Sequence, residues 1–287
     1  MSVHPPVTAV RDVVERALAE DLGPLGDLTA ALLPPGLVAA ADIVPRAPGV
    51  LAGRLAATET FARVDAGLAV AWSADDGDPI TAGTPVARVT GALASILSAE
   101  RTALNLLGHL SGVATETRRY ADVLVGRWGA IRDTRKTTPG LRALEKAAVR
   151  AGGGANHRGS LSDGVLLKDN HLAGTTVAEA VARARSLWPG RTVEVECDTA
   201  AQVDEAVAAG ADLVLLDNMS PAEVADCVAQ VRAASAGRHG RARLVEVSGG
   251  VTLETVAAYA DAGADLISVG ALTHSAPVLD IGLDVVT

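Results

Sequence analysis

The second half of the chain alternates short apolar runs with helical segments. Each apolar run is followed by a polar loop and then by a stretch with helical periodicity, which often ends in glycine. The runs are GAIRDT, GVLLKD, TVEVECD, ADLVLLDN, RLVEVSGG and ADLISVG, near residues 130, 165, 193, 213, 244 and 266. Strands that alternate with helices at this spacing predict parallel βαβ units. Six such units favour a β/α barrel, complete or incomplete, and an open doubly wound sheet is the alternative.

The ends of these runs hold the first candidates for function, because a parallel barrel carries its functional groups where strands end and loops begin. The residues at that position are Arg135, Lys136, Lys168, Glu196, Asp217, Ser248, Gly249, Gly250 and Gly270. Charged groups at the ends of buried strands are costly unless a ligand or mutual pairing satisfies them. The pattern therefore predicts a binding site at the carboxyl ends of the strands.

The last two strand ends carry glycine-rich loops, SGG at 248–250 and VGAL at 269–272. Small residues and free backbone N–H groups at this place in a barrel favour a bound phosphate. The acids Glu196 and Asp217 lie on neighbouring units, where carboxylates suit Mg²⁺ or sugar hydroxyls. The alternative for these two acids is pairing with nearby cations.

Positive charge is concentrated in one stretch of a chain whose formal net charge is −9. From Arg132 to Lys168 there are eight Lys or Arg residues and three acids. The strand-end cations and the histidine that accompanies them are Arg135, Lys136, Arg158, Lys168 and His157. They outnumber the two strand-end acids, so a multiply anionic ligand with carboxylates and phosphates is expected to balance them. The remaining cations at helical spacing, expected on a solvated helix face, are Arg142, Lys146 and Arg150.

Composition excludes several other classes of function. The pI near 5.1 and an aromatic content of 2% argue against a nucleic-acid partner, which needs basic surface and stacking rings. The N-terminus has no basic stretch followed by an apolar one, and no apolar run approaches the roughly 18 residues of a membrane span. We therefore expect a cytoplasmic protein. Cys197 and Cys227 form neither a CxxC pair nor a metal-ligand spacing, which favours buried reduced thiols.

The first half of the chain has no such repeat. The stretch DDGDPITAGTPVARVTG, at 75–91, has short strand-like runs separated by Gly, Asp and Pro. It is similar to the hairpin-rich sandwich of biotinyl and lipoyl carriers, but it has no lysine to modify. The segment from Leu97 to Val125 has helical periodicity and is expected to join two domains.

Several motifs together resemble one family. In order, they are EDLGPLGDLT, ERTALNLLGHLSGVAT, DTRKTTPG, GGGANHRGSLSDGVLLKDNH, VEVECDT, LLDNM, EVSGG and VGALTHS. This set is similar to the quinolinate phosphoribosyltransferases, the decarboxylating nicotinate-nucleotide pyrophosphorylases, over nearly the full chain. The sequence departs from the family pattern at Arg132, where an apolar residue is usual, and at Gly159, where a larger one is common. We expect Arg132 to be structural.

The resemblance implies an α/β fold with a small N-terminal α/β sandwich over 1–110 and an open, incomplete parallel β/α barrel over 111–287. The C-terminal tail is expected to pack back on the N-terminal domain. The implied reaction transfers phosphoribose from phosphoribosyl pyrophosphate to quinolinate with decarboxylation. It gives nicotinate mononucleotide, CO₂ and pyrophosphate in NAD biosynthesis and needs Mg²⁺. The resemblance also implies a homodimer in which each subunit's Arg101 completes the neighbouring subunit's site.

The resemblance assigns roles to the strand-end residues. Implied catalytic residues are Lys136, Lys168, Glu196 and Asp217, and the last two are the Mg²⁺ residues, directly or indirectly. Implied contacts to quinolinate come from Arg101, Arg135, His157, Arg158 and Lys168, and Lys136 is expected to contact the diphosphate. The remaining implied substrate-binding residues are Thr134, Ser248, Gly249, Gly250, Val269, Gly270 and Ala271. Ribose hydroxyls and the metal are assigned to Glu196 and Asp217.

Two other enzyme readings stay open. A related phosphoribosyltransferase would use a different acceptor in place of quinolinate, although the lysine of LLKDNH argues against it. A barrel lyase would use Lys168 as a Schiff-base nucleophile at a strand end. Such a lyase has no need for the whole cationic set together with two glycine-rich phosphate loops.

Overall fold

The structure is a computed structural model that describes residues 3–235 and 243–286. The strands are β1 (Val38–Pro45), β2 (Gly49–Val50), β3 (Ala69–Trp72), β4 (Pro79–Ile80), β5 (Ala87–Ala92), β6 (Ala130–Arg132), β7 (Val165–Leu167), β8 (Val193–Cys197), β9 (Leu213–Asp217), β10 (Leu244–Ser248), β11 (Leu266–Ser268) and β12 (Ile281–Val286). The helices are α1 (Val7–Leu22), α2 (Arg54–Val64), α3 (Leu93–Val123), α4 (Arg142–Ala151), α5 (Val177–Leu187), α6 (Ala200–Ala209), α7 (Pro221–Ser235), α8 (Val256–Asp261) and α9 (Ala271–His274). Short 3₁₀ turns occur at Ala30–Leu32 and Asp169–His171.

The chain divides into two compact units. The first consists of the chain up to Arg118, of Lys136–Gly154 and of the chain from Ala271 onward. The second consists of Arg119–Arg135 and Ala155–Gly270. The domain division at residues 110 and 111 stays a prediction, because a compact unit is not by itself a domain.

The first unit contains an antiparallel sheet with the strand order β12-β1-β5-β3. Strand β1 lies between β5 and the C-terminal strand β12, so Ile43 is opposite Ala87 on one side and Leu283 on the other. Ile43 and Phe61 are fully buried in the core of this unit. The final strand is thus a structural part of the first sheet.

Two glycines in the middle of α3 allow the chain before β12 to pass close to the helix. The Leu279 N–H donates to the Gly108 carbonyl at 3.1 Å. A Cβ at Gly108 would lie 2.8 Å from the Leu279 carbonyl oxygen, and a Cβ at Gly112 would lie 2.0 Å from that of Pro277. These glycines are therefore required by close backbone approach, despite their low helix propensity.

Helix α4 corrects one expectation from the sequence. Lys146 is only 6% exposed, so its predicted place on a solvated helix face is wrong. Its neighbour Glu145 is fully buried and accepts from the Thr138 N–H at 3.1 Å, and it lies 2.8 Å from His109 Nε2. Helical spacing placed these charges on one helix but did not show that most of the helix is covered.

The second unit is a parallel sheet with the strand order β6-β11-β10-β9-β8-β7. Strands β7 to β11 lie side by side in chain order, and β6 closes on β11 rather than on β7. Strands β6 and β7 lie at the two edges, so the strand order is that of a barrel opened between β6 and β7. The β/α barrel favoured by the six apolar runs is confirmed, in the open, incomplete form that the resemblance implied.

Alternation along the strands sorts side chains onto the two faces of this sheet. Val193, Val195 and Cys197 of β8 are fully buried, and the glutamates between them project to the opposite face. The loops after β7 and β8 end in capping boxes, Thr176 with Glu179 and Thr199 with Gln202, which start α5 and α6.

The predicted burial of both cysteines is also confirmed. Cys197 is fully buried and Cys227 is 2% exposed, and both are free thiols. Burial raises the pKa of Cys197 to about 12, so this thiol stays protonated at neutral pH. Within the described residues, no helix is both long and apolar enough to cross a membrane.

The close approach at α3 gives a test of the first unit. We expect Gly112→Ala to lower the free energy of unfolding by on the order of 2 kcal/mol or more, because overpacking outweighs a gain in helix propensity of about 1 kcal/mol. Gly108→Ala, one turn away with more clearance, gains the same propensity and should lose less. Urea unfolding of both variants measures the difference, and equal stability of Gly112→Ala and the wild type would contradict the packing.

Candidate active site at the strand ends

Most predicted site residues belong to the second unit. These are Thr134, Arg135, His157, Arg158, Lys168, Glu196, Asp217, Ser248, Gly249, Gly250, Val269 and Gly270. The sheet register puts Asp217 beside Ser248, and Glu196 lies on the neighbouring strand at the level of Leu215. The predicted residues Arg101, Lys136 and Ala271 belong to the first unit.

Lys168 and Glu196 form an ion pair between the ends of β7 and β8. The Lys168 side chain is 41% exposed, and that of Glu196 is 13% exposed. For Glu196, the sequence analysis left open a pairing with a nearby cation, and the structure shows that pairing with Lys168. The Lys168 ammonium has three N–H donors, so it can bind a ligand carboxylate in addition to Glu196.

Asp217 is held by the residue that follows it. Asn218 Nδ2 donates to Asp217 Oδ2 at 2.8 Å, and the Asn218 N–H donates to the Ser248 carbonyl at 3.0 Å. Among the described residues, Asn218 is the only one other than glycine with positive φ, at 56°. A Cβ at Gly249 would lie 2.2 Å from Asn218 Oδ1. The left-handed turn at Asn218 therefore orients the Asp217 carboxylate and needs glycine across from it.

The loop after β10 has the properties predicted for a phosphate site. Gly249 and Gly250 have φ of 94° and 59°, which only glycine adopts readily, and nothing lies within 4 Å of a Cβ placed on Gly250. In the loop after β11, one backbone donor is already used, because the Val269 N–H donates to the Arg132 carbonyl at 2.9 Å. Any ligand contact from the Val269 amide would have to replace that bond.

Two of the predicted anion-binding cations repel each other. Burial is the main cause that lowers the pKa of Arg158, and the nearby charge of Arg135 lowers it further. Arg158 Nη1 donates to the Gly164 carbonyl at 3.2 Å. Two guanidinium groups whose charges act on each other suit an anionic ligand.

Two residues that the sequence analysis missed, Glu194 and Glu246, are buried inside the second unit beside Arg132 and His157. We call Arg132, His157, Glu194 and Glu246 the interior cluster. Arg132 Nη1 pairs with Glu246 Oε2, and the Ser268 hydroxyl donates to Glu246 Oε1. His157 Nε2 lies 3.3 Å from Glu194 Oε2 and 3.5 Å from Glu246 Oε1. The alternation in VEVEC and LVEVS is the signal that would have placed both glutamates on the inner face.

The interior cluster borders a cavity of about 220 Å³. Its lining includes Arg132, His157, Arg158 and Glu194. Burial raises the pKa of Glu194 and that of Glu246 above the ordinary glutamate value, and for Glu246 the neighbouring Glu194 raises it further. Each of the two carboxyl groups therefore loses its proton at a higher pH than an exposed glutamate does.

Two places in the second unit have donors of the kind that metals use. Glu196 and Asp217 offer carboxylate oxygens beside the phosphate-type loop, which suits Mg²⁺, an ion that commonly binds one or two carboxylates together with substrate phosphates. Donor atoms of His157, Glu194 and Glu246 lie within 4.8 Å of one another. There, however, the guanidinium of Arg132 already supplies the positive charge, since it is paired with Glu246.

Two family models match nearly the whole chain. "Quinolinate phosphoribosyl transferase, N-terminal domain" matches residues 27–111, and the C-terminal domain of the same name matches residues 113–284. The chain is 46% identical over 284 residues to the nicotinate-nucleotide pyrophosphorylase (carboxylating) of Mycobacterium leprae (strain TN), covering 96% of this chain and 97% of that protein. It is 41% identical over 278 residues to the probable enzyme of the same name from Bacillus subtilis (strain 168), covering 96% and 93%.

The fold is also similar to a solved structure. The nicotinate-nucleotide pyrophosphorylase from Francisella tularensis superposes with a TM-score of 0.92 at 35% identity and covers 100% of this chain and 99% of that chain. Sequence and fold similarity thus extend over both halves of the chain.

The raised pKa of Glu194 gives a pH-dependent test. A carboxyl group whose pKa is raised by folding stabilises the fold below its unfolded pKa of about 4.3, and this contribution is lost as the pH rises through the raised value. Between about pH 5 and about pH 8, the free energy of unfolding should therefore fall more steeply for the wild type than for Glu194→Gln, whose amide does not titrate. Urea unfolding at both pH values measures this. Glu20→Gln, at an exposed position on α1, is the control, and equal slopes for wild type and Glu194→Gln would contradict the raised pKa.

Proposed function

The chain belongs to the quinolinate phosphoribosyltransferase family, and from this membership we infer its reaction. It is a glycosyltransferase that moves phosphoribose from phosphoribosyl pyrophosphate to the ring nitrogen of quinolinate. The products are nicotinate mononucleotide, CO₂ and pyrophosphate, in NAD biosynthesis. The observation that carries this function is the series of strand ends in one parallel sheet, with Lys168 and Glu196, then Asp217, then the glycine loop at 248–250.

Quinolinate is the acceptor that best fits the cations of the second unit. Its two adjacent carboxylates match Arg135 and Arg158, whose mutual repulsion a dianion would relieve. Lys168 would donate to a quinolinate carboxylate with an N–H that its pair with Glu196 does not use. Glu196 would accept from a ribose hydroxyl.

Phosphoribosyl pyrophosphate would place its 5′-phosphate at the loop of Ser248, Gly249 and Gly250, where glycine conformations bring backbone N–H groups close to the ligand. Asp217, held by Asn218, and Glu196 would hold Mg²⁺. When bound, the metal supplies positive charge for the leaving diphosphate. The predicted roles of Thr134, Val269, Lys136 and Ala271 remain predictions.

The residues act by position and charge. Displacement at the anomeric carbon passes through an oxocarbenium-like state, so groups that hold both substrates in line supply much of the rate. Once the ring nitrogen carries ribose, its positive charge stabilises the carbanion that decarboxylation leaves. Protonation of that carbon then completes nicotinate mononucleotide. The sequence of steps needs no covalent bond to the enzyme, and Lys168 acts as a cation rather than a nucleophile.

The homodimer and the cytoplasmic location also belong to this proposal. Arg101 supports the dimer, because its side chain is 66% exposed and its ion pair with the adjacent Glu100 is long, at 3.8 Å. An exposed arginine held this weakly is available to a neighbouring molecule. In the proposed dimer, the partner subunit's Arg101 would contact quinolinate.

A mass-balance assay tests the function. The enzyme is given phosphoribosyl pyrophosphate and Mg²⁺ with either quinolinate or nicotinate, and CO₂, pyrophosphate and nucleotide are measured. We expect equal amounts of all three products from quinolinate and none from nicotinate. Turnover of another acceptor alone would favour the related transferase, and covalent labelling by borohydride with a carbonyl substrate would favour the Schiff-base lyase.

Lys168→Ala tests the role of the strand-end lysine. We expect the KM for quinolinate to rise on the order of a hundredfold, because the loss of a charged partner for a carboxylate costs about 2 to 5 kcal/mol. The KM for phosphoribosyl pyrophosphate should change little. Arg127→Ala is a matched control, since it removes a half-exposed ion pair to Asp261 at the opposite ends of the strands. Near-normal use of low quinolinate by Lys168→Ala would remove the lysine from the acceptor site.

A further inference from the structure

The loop from Asn156 to Arg158 presents a predicted quinolinate contact, and strand β6 holds this loop in place. Asp133, the residue that follows β6, is fully buried and accepts from Asn156 Nδ2 at 2.6 Å and from the His157 N–H at 2.7 Å. A parallel bridge joins Arg132 to Ala155, the residue just before the loop. The placement of Arg158 therefore depends on Arg132 at the end of β6 and on Asp133 just after it, neither of which is a predicted ligand contact.

Arg132 contacts both this loop and the acids of the interior cluster. Its Nη1 pairs with Glu246 Oε2, while its Nε donates to the Asn156 carbonyl at 3.3 Å. The side chain is 18% exposed and that of Glu246 is fully buried. A planar guanidinium can hold two acceptors in fixed directions, whereas the point charge of a lysine cannot.

The ring of His157 is fixed by the same arrangement. His157 Nδ1 accepts from the Arg158 N–H at 2.7 Å, so the proton of a neutral ring lies on Nε2, which faces Glu194 and Glu246. The charged groups that face the ring are Arg132 from β6, Glu194 from β8 and Glu246 from β10, with Arg158 next to it in the chain. Arg132 is permanently charged and therefore serves as a counter-ion for Glu246 at either charge of the imidazole.

We propose that Arg132 is a positioning residue for acceptor binding, because its guanidinium joins Glu246 to the Asn156 carbonyl and thereby sets the loop that carries His157 and Arg158. The inference deepens the proposed function and rests on it only in taking quinolinate as the ligand of Arg158. It differs from a counter-ion role, in which Arg132 would do no more than neutralise Glu246. Both roles place the same charge in the same position, and they differ only in the bond to Asn156.

The test separates these two roles with four variants. Arg132→Met removes the contacts to Glu246 and to the Asn156 carbonyl. Arg132→Lys keeps the positive charge but loses the planar guanidinium that holds two acceptors. Arg132→Met combined with Glu246→Gln removes the guanidinium and its acid together, so no buried carboxylate loses its partner. Glu246→Gln alone keeps the bond from Arg132 to the Asn156 carbonyl. Each protein is measured for thermal stability, for the KM of both substrates, and by ¹⁵N NMR of labelled histidine.

For a positioning role, we expect Arg132→Met to lose stability and to raise the KM for quinolinate about tenfold, with the KM for phosphoribosyl pyrophosphate changed by less than about twofold. The double variant should regain most of the stability but keep the high KM for quinolinate. Arg132→Lys should also keep much of the raised KM, and Glu246→Gln should stay closer to the wild type. Arg127→Ala, the matched ion-pair loss, should leave both KM values unchanged.

A wild-type KM for quinolinate in the double variant would overturn the proposal and leave Arg132 a counter-ion. The histidine spectrum separates this failure from failure of the proposed function. In the wild type, one histidine should show an unprotonated Nδ1 and a protonated Nε2, and this signal should change in the double variant. If the wild type made no nucleotide from quinolinate, the proposed function would be wrong. Independently of that result, a histidine signal that is the same in the double variant and the wild type would contradict the placement of the loop by Arg132.

Discussion

Two carboxyl groups buried inside the parallel sheet constrain the second unit more tightly than its apolar contacts do. Apolar residues can be exchanged for others of similar volume at modest cost, but a buried carboxyl group needs a proton or a cation at a fixed place. Glu246 has the Arg132 guanidinium and the Ser268 hydroxyl, and Glu194 has the His157 ring. Arg132 also donates to the Asn156 carbonyl. The same side chain therefore neutralises a buried carboxylate and holds the loop that we propose binds the ligand.

Charged side chains at the strand ends also act on one another. Lys168 and Glu196 pair with each other, while the charge of Arg135 lowers the pKa of Arg158. The strand ends therefore combine an ion pair with two like charges that act on each other. The dianionic acceptor that we propose would offset the repulsion between these two guanidinium groups.

The spacing and order of the apolar runs were enough to predict the parallel strands and the residues at their ends, because both depend only on positions along the chain. Contacts across strands depend on register, which the apolar runs do not encode. For this reason the sequence did not show that Glu196 pairs with Lys168 on the neighbouring strand. Asn218 was missed because its role lies in a left-handed backbone turn beside Gly249 rather than in its residue type. Lys146 was misplaced because helical spacing says which residues share a face and not what covers that face.

The pairing of β1 with β12 has a consequence for how the chain folds during synthesis. Ala40 pairs with Val286, so the two strands are separated by almost the entire sequence. As the ribosome releases the chain, β1 can pair with β5 on one side while its other edge stays open until β12 emerges. An open strand edge is a site for unwanted pairing with other chains, and the six strands of the second unit must be made during that interval. Completion of the first sheet is therefore a late event, and its rate depends on closing the longest loop in the molecule.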